Sequence, residues 1–302
     1  MPDDPDSPST APLRFLDTHV HFWDPARPDW YPHLAPDADL SAINLGKAEH
    51  MKRHYDHATY QADATGIDIV GIVHVTATRG AGNYLGETAE LGRLHAQVGL
   101  PAAIVGGFNP DAALVDIAAE LDEQAQVPLF HGIRTTTPID YTAPKAADML
   151  RLFAERGLVY DVVTHPAAMA AVAHRLEASP DATYVIEHTG WPLFEDDGAH
   201  TAQWREGMRM LAAAGPHVHC KLSGLPMTLH RFDVAALRPW LEHALEVFGA
   251  DRCLFGSNFP VDAMFGDLPS LLRSYQAITE PLGRAAQAKL FVDNARAIYL
   301  RG

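Results

Sequence analysis

Short apolar segments alternate with amphipathic segments along the chain, and this alternation constrains the fold more than any other feature. The apolar segments are often β-branched, as expected for strands that are buried on both faces. The eight candidate strands are residues 14–20, 68–75, 101–106, 127–133, 158–163, 183–186, 217–222 and 252–255. The amphipathic segments, which predict helices, are residues 48–65, 84–98, 112–124, 143–156, 166–178, 202–214, 234–248 and 282–300.

Eight strands that alternate with eight helices predict parallel βα units. At 302 residues, a closed (β/α)8 (TIM) barrel fits better than an open doubly wound sheet. A dinucleotide-binding sheet is disfavoured further because no Gly-x-Gly-x-x-Gly follows the first strand. We therefore expect one barrel over residues 13–302 with an extended first βα loop, preceded by a disordered Asp-, Pro- and Ser-rich lead-in at residues 1–12.

The charge and the cysteine content argue against several classes of protein. The chain has 23 Lys and Arg against 38 Asp and Glu, a net charge of −15, which disfavours binding to a phosphate backbone. Two cysteines are too few for a disulfide framework or a Cys-based zinc site. The N-terminus does not resemble a signal peptide, and no segment approaches the ~20 apolar residues that span a bilayer. We expect a cytoplasmic protein that acts on a small molecule and binds neither nucleic acid nor membranes, with its oligomeric state left open.

Histidine is abundant, with 17 residues in the chain, and its placement points to chemistry at the strand ends. In parallel barrels the functional groups lie where strands end and βα loops begin. His19 and His21 close the first candidate strand, and side chains two residues apart on a strand face the same way. Two such imidazoles can bind a divalent metal ion. The alternative is a pair of histidines satisfied by hydrogen bonds in a loop.

Polar residues also follow later candidate strands. His188 follows the sixth strand, and His165 follows the fifth, where it is either a ligand or a helix-entry residue. Arg134 follows the fourth strand, where it can clamp a substrate carboxylate or carbonyl or form a structural salt bridge. Lys221 and Ser223 end the seventh strand, and a buried Lys either stabilises an oxyanion or pairs with a neighbouring acid.

Three further residues are candidates for the walls of a pocket. His74 and His131 lie at the second and fourth strands and are second-line candidates. Trp23 lies in the long first βα region, where aromatic side chains form either a substrate wall or ordinary packing against the barrel.

A set of motifs in the chain resembles the amidohydrolase superfamily, and more narrowly its amidohydrolase-2 branch of lactonases and non-oxidative decarboxylases. The opening motif is Phe-Leu-Asp-Thr-His-Val-His-Phe-Trp at residues 15–23. The later pieces fall in the order of the family: Gly-Ile-Arg at 132–134, His-Pro at 165–166, Val-Ile-Glu-His-Thr-Gly at 185–190, Cys-Lys-Leu-Ser-Gly at 220–224 and Phe-Gly-Ser-Asn-Phe-Pro at 255–260. The resemblance covers residues 13–300 and is greatest for the lactonase-like subgroup.

The resemblance implies a distorted barrel with its site at the carboxyl ends of the strands. By motif, His19 and His21 correspond to the metal pair, His165 to the ligand position after the fifth strand, and His188 to the histidine that polarises the substrate or completes the site. The bridging Lys or Glu of binuclear branches has no match after the fourth strand. The resemblance thus implies one divalent ion, zinc or manganese, while metal-free activity stays open because some lactonases of this branch work without a metal.

The most informative departure from the family pattern is Asn258, which stands where the family has an aspartate that acts as general base. An asparagine cannot accept a proton at neutral pH, although its carbonyl oxygen can orient water or bind a metal. The remaining candidates for the base are Asp262, His188 and Glu187.

The leading interpretation is a hydrolase that cleaves a carbonyl ester, with a lactone as the first candidate, by attack of water on a carbonyl polarised by metal or cationic residues. The alternatives are a non-oxidative decarboxylase, a hydrolase of a thioester or amide, and a barrel that has lost its base and only binds a ligand.

Overall fold

The computed structural model describes residues 14–40, 48–78, 83–192 and 198–300, so the predicted lead-in at residues 1–12 lies outside the described residues. Eight parallel strands form one sheet in the order of the sequence. They are β1 (Arg14–Val20), β2 (Asp68–Val75), β3 (Ala103–Gly107), β4 (Phe130–Arg134), β5 (Val159–Val162), β6 (Thr183–Ile186), β7 (Val218–Leu222) and β8 (Cys253–Phe255). This arrangement confirms the predicted (β/α)8 barrel.

The barrel closes between β8 and β1 through the residues that follow β8. The Thr18 hydroxyl donates to the Phe255 carbonyl at 2.8 Å, and the backbone N–H of Asn258 donates to the His19 carbonyl at 2.9 Å. The Asp17 carboxylate is fully buried and accepts hydrogen bonds from the Ser257 backbone N–H at 2.8 Å and the Tyr60 hydroxyl at 2.9 Å. This closure seam brings the first strand's histidines next to the loop after the eighth strand.

Helices surround the barrel, and their amphipathic faces pack against the outer side of the strands. They are α1 (His57–Asp63), α2 (Tyr84–Val98), α3 (Leu114–Gln124), α4 (Pro144–Glu155), α5 (Met169–Glu177), α6 (Ala199–Ala213), α7 (Leu225–Leu229), α8 (Val234–Phe248), α9 (Leu268–Thr279), α10 (Arg284–Ala288) and α11 (Asn294–Tyr299).

The helix prediction was wrong at three places. The segment 48–65 is not one helix: a 3-10 turn at Ala48–Met51 precedes α1, whose first turn is capped by the Asp56 side chain. Helices α7 and α9 were both missed, although Asp267 caps α9 and Pro269 stands in its first turn. The segment 282–300 is helical from Arg284 to Tyr299, as predicted, with a π-helical turn at Lys289–Asp293 between α10 and α11.

The extended first βα loop spans the chain between β1 and β2, as expected. Trp23 and Tyr55 form an antiparallel bridge within it, and the Trp23 indole donates to the Arg53 carbonyl at 3.0 Å. The Tyr55 hydroxyl donates to Asp63 at 2.8 Å. The loop is therefore anchored on its own helix α1 and lies over one side of the barrel mouth.

The inside of the barrel holds a small apolar cluster and a buried ion pair. Strand residues that alternate with outward-facing neighbours form the cluster together with α11: Leu16, Val73, Val75, Ala103, Val105, Val159, Val185, Leu254, Ala295, Ile298 and Tyr299. The Lys221 ammonium donates to Asp161 at 2.5 Å, and the Tyr299 hydroxyl donates to the second oxygen of Asp161 at 2.6 Å. Of the two roles that the sequence left open for Lys221, the structure places it in the pairing with an acid.

Among the described residues, no helix combines the length and the apolar character that crossing a membrane requires.

The buried pair yields a stability prediction. Replacing Asp161 with Asn leaves the fully buried Lys221 ammonium without its counter-charge, and removing one partner of a buried pair costs about 3–5 kcal/mol. The matched control is Asp251→Asn, which breaks the exposed pair with Lys289 and is expected to cost ~1 kcal/mol or less. Urea unfolding followed by circular dichroism measures both, and equal losses in the two variants would contradict the prediction.

Candidate active site

A cavity of about 360 Å³ opens at the carboxyl ends of the strands. It is lined by His21 after β1, Thr76 after β2, Arg134 at the end of β4, His188 after β6 and Asn258 after β8. Its walls also carry aromatic and hydroxyl side chains: Trp23, Tyr84, Trp191, Thr78, Thr135, Thr136 and Thr137. Polar groups from five strand ends therefore converge on one chamber, in the position where TIM barrels carry their chemistry.

His19 and His21 point the same way, and their Nε2 atoms lie 3.1 Å apart. His21 Nδ1 lies 2.8 Å from the Val75 carbonyl, which can only accept, so Nδ1 carries the proton and Nε2 offers its lone pair. Two nitrogens at this separation can both reach one ion at about 2.0–2.1 Å from each. Arg134 Nη1, which can only donate, also lies 3.5 Å from His19 Nε2.

Glu187 and His188 bring a second set of lone pairs to His19. One ligand atom from each of His19, Glu187 and His188 can be chosen so that all three lie within 4.8 Å of one another. His19 Nδ1 and Glu187 Oε1 are 3.6 Å apart, both are buried, and neither has a hydrogen-bond partner. Buried polar atoms that face each other without a hydrogen bond are poorly satisfied by protein alone. These residues can hold one divalent metal ion.

The imidazoles of this group are held neutral, which is the form that binds metals. Burial, and then the neighbouring His188, holds the pKa of His19 well below its usual range. Burial, and then the positive charge of Arg134, does the same to the pKa values of His21 and His188.

The backbone after β6 adopts an unusual conformation that presents His188. His188, Thr189 and Trp191 all have φ near +50°, a left-handed conformation that is rare for residues other than glycine. The segment is held by a hydrogen bond of 2.8 Å from the Trp204 indole to the Thr189 carbonyl. His188 Nδ1 lies 3.0 Å from the Ser223 hydroxyl. A Cβ at Gly224 would lie 2.4 Å from that nitrogen, so only glycine leaves room for the ring.

Arg134 is held as a fixed donor beside the histidines. Its Nη1 donates to Glu187 Oε2 at 3.0 Å and its Nη2 donates to the Thr76 carbonyl at 2.8 Å. Thr76 is fixed in turn by Glu87, a fully buried carboxylate that also accepts from the backbone N–H groups of Ala77 and Thr78. A guanidinium has five N–H groups, so hydrogens remain for a ligand in the cavity. Arg134 can therefore form the salt bridge with Glu187 and still bind a substrate group, so the two alternatives do not exclude each other.

Asn258 lines the cavity, and Asp262 lies behind it. The Asn258 side-chain NH2 donates to Asp262 Oδ1 at 3.1 Å, and the Met227 backbone N–H donates to the same oxygen at 3.0 Å. Asp262 is completely buried, and burial raises its pKa well above the usual value. Its carboxyl group therefore contacts Asn258 and the backbone rather than a ligand in the cavity.

The other predicted site residues are distributed as follows. His165 is exposed, and its ring packs 5.2 Å from the ring of Trp191, so the structure does not bring it to the group around His19. His131 is half-buried on β4 and, three residues before Arg134, faces the opposite side of the strand. Ser223 contacts His188 rather than the open cavity, and Trp23 both packs in the core and lines the cavity. As ligands or substrate contacts these residues remain predictions.

Sequence reasoning missed two parts of the site. Glu187 was considered only as a base, whereas the structure places it between His19, His188 and Arg134. Its position directly after β6, beside a candidate histidine, was the available signal. The threonines at 135–137 and Trp191 were not considered, because their place on the cavity wall depends on loop conformation.

Comparisons with known proteins agree with this geometry. The amidohydrolase family model matches residues 16–301. An uncharacterized protein, y4mH of Sinorhizobium fredii, is 31% identical over 300 residues, covering 95% of this chain and 98% of that protein. An L-fucono-1,5-lactonase of Burkholderia ambifaria is 27% identical over 308 residues, covering 94% of each chain.

A solved structure gives the same fold. An amidohydrolase of Burkholderia multivorans has been crystallised with bound HEPES, with a TM-score of 0.81 and 24% identity, and with bound zinc, with a TM-score of 0.79 and 23% identity. In both comparisons 96% of this chain and 100% of that chain are covered. The family match over nearly the whole sequence, together with the barrel and the group that can hold a metal, establishes that this chain belongs to the amidohydrolase family and is a hydrolase.

Proposed function

We propose that the chain hydrolyses an uncharged lactone that carries several hydroxyl groups. The observation that carries the proposal is the fixed Arg134 guanidinium, which lies within the cavity directly beside the group of His19, Glu187 and His188. A donor that is already oriented stabilises the oxyanion of a tetrahedral intermediate without reorganisation, which is the main requirement of acyl hydrolysis. The lactonase relative from Burkholderia ambifaria supports a cyclic ester as the substrate class.

The lining of the cavity favours a neutral substrate. Among the described residues that line it, Arg134 alone carries a permanent positive charge, and that charge is shared with Glu187. Apart from the proposed metal ion, a dicarboxylate would find no second cationic side chain among these lining residues. Threonine hydroxyls and the two indoles of Trp23 and Trp191 instead offer hydrogen bonds and apolar faces, which suit a molecule with several hydroxyl groups.

The residues of the chain would divide the work of hydrolysis. A divalent ion held by His19, Glu187 and His188 would polarise the carbonyl and lower the pKa of water from about 15.7 to about 7. Arg134 donates to the carbonyl oxygen as negative charge develops there. The Asn258 carbonyl oxygen accepts a hydrogen bond from the attacking water. A strong carboxylate base at position 258 is then not required.

The sequence left three candidates for the proton acceptor, Asp262, His188 and Glu187, and we retain His188. Asp262 is buried behind Asn258, and Glu187 is paired with Arg134. His188 lines the cavity, and its Nδ1 lies 3.0 Å from the Ser223 hydroxyl. His188 can serve as metal ligand or as proton acceptor, and the two uses differ in outcome. Loss of bound metal in His188→Asn indicates a ligand, whereas retained metal with a reduced kcat indicates a proton acceptor.

Hydrolysis is tested on a panel of sugar lactones, pyrone dicarboxylates, aryl esters and thioesters, with a pH indicator that reports the released proton. We expect turnover of a sugar lactone, and Arg134→Lys is expected to lower kcat about 10²–10³-fold because the planar pair of donors is lost. The control Arg151→Lys changes an exposed residue of α4 and should leave turnover unchanged. Carbon dioxide release from hydroxybenzoates without lactone hydrolysis would instead favour a decarboxylase, and binding without turnover a ligand-binding barrel.

Metal content gives a second prediction. Elemental analysis of the purified protein is expected to find about one zinc or manganese ion per chain, and chelation should lower activity in parallel with metal content. Glu187→Gln removes a charged ligand from the buried group and should reduce metal content, whereas His165→Ala should not, because His165 lies outside that group. Undiminished turnover by metal-free protein would refute the role of the ion.

A further inference from the structure

We infer that Asp262 is a positioning residue that fixes the side-chain amide of Asn258 with its carbonyl oxygen toward the cavity. We further infer that this oxygen orients the attacking water, and that part of the inference rests on the proposed function. The orientation of the amide itself follows from contacts in the structure alone.

The direction of the hydrogen bond between the two side chains is set by the backbone. Asp262 Oδ1 accepts the backbone N–H of Met227 at 3.0 Å, and a backbone N–H can only donate. Oδ1 thus uses one lone pair on the backbone and keeps the second for another donor. The Asn258 NH2 group lies 3.1 Å from Oδ1 and 3.8 Å from Met227 Sδ, so both acceptors lie on the NH2 side and the carbonyl oxygen is left on the side of the cavity.

The backbone of Asn258 is equally fixed. Its N–H donates to the His19 carbonyl at 2.9 Å, and its carbonyl accepts from the Asp262 N–H at 3.0 Å. Its φ of 58° lies in the left-handed region, which asparagine tolerates better than most residues. The main freedom left to this side chain is a flip of the amide, which would exchange the oxygen and the NH2 group. Asp262 is the partner that decides between the two.

This contact also explains why an acid does not stand at position 258 in this chain. A carboxylate there would face the Asp262 carboxylate at about the present 3.1 Å, in a place without solvent. Two carboxylates that share such a site cannot both be ionised. The amide at 258 and the acid at 262 therefore form a complementary donor and acceptor. Exchanging the two residues should keep the hydrogen bond and reverse its direction.

Steady-state kinetics on sugar lactones tests the pair through Asp262→Asn, Asn258→Asp and the double variant that exchanges the two residues. Asp262→Asn lets the amide adopt both orientations, so kcat is expected to fall about 10- to 100-fold with KM nearly unchanged. Asn258→Asp should lower both kcat and the melting temperature, and the exchange variant should recover most of both losses. The control is Asp267→Asn, an exposed cap of α9 whose side chain can still accept a hydrogen bond.

A readout that does not depend on catalysis separates failure of this inference from failure of the proposed function. Hydrogen exchange of the Asn258 side-chain NH2, followed by NMR with ¹⁵N-labelled protein, should be slow in the wild type and at least tenfold faster in Asp262→Ala. Unchanged exchange in that variant would overturn the inference even if the protein is a lactonase. The inference would also be overturned if the double variant that exchanges residues 258 and 262 were no more active and no more stable than Asn258→Asp. Protected exchange that is lost in Asp262→Ala would sustain it even if no lactone is hydrolysed.

Discussion

Closure of the barrel between β8 and β1 is the constraint on which the rest of the site depends. β8 is only three residues long, so the seam is completed by side chains and by the loop that follows. The buried Asp17 carboxylate accepts from the Ser257 backbone, and burial raises its pKa to about 6. The same seam joins Asn258 to the His19 carbonyl. The hydrogen bonds that close the barrel are therefore the same ones that bring His19 and Asn258 together.

Charge is arranged in two buried layers beneath the cavity. The deeper layer, Lys221 with Asp161, is matched in charge and further satisfied by Tyr299, so it acts as part of the core. The upper layer contains Arg134 with Glu187, and there one oxygen of Glu187 and one ring nitrogen of His19 have no hydrogen-bond partner. Leaving a buried polar atom unsatisfied costs about 1–3 kcal/mol. A bound cation explains the presence of these atoms at the mouth of the barrel better than a contribution to stability does.

The sequence predicted the architecture well because strands buried on both faces have a strong local signal. The bounds of β1, β2 and β6 were predicted to the residue. Helix α9 was missed, although its buried residues recur at helical spacing: Leu268, Leu271, Leu272, Tyr275 and Ile278. Strand ends also pointed to the cavity residues His21, Arg134, His188 and Asn258. What the sequence could not supply was the direction of side chains beyond the strands. His165 is exposed and packs against Trp191, whereas Glu187 is buried beside Arg134, although both residues follow a strand within three positions.

The departure at Asn258 becomes intelligible once its neighbours are considered. An acid at this position would serve as a base only if its surroundings let it ionise, and in this barrel the space behind it is occupied by a second acid. The proton-accepting function must therefore lie elsewhere, in a neutral imidazole such as His188 or in water whose pKa a metal has lowered. In either case position 258 has only to present an acceptor in a fixed direction. An amide held by Asp262 does that without placing a second carboxylate against Asp262.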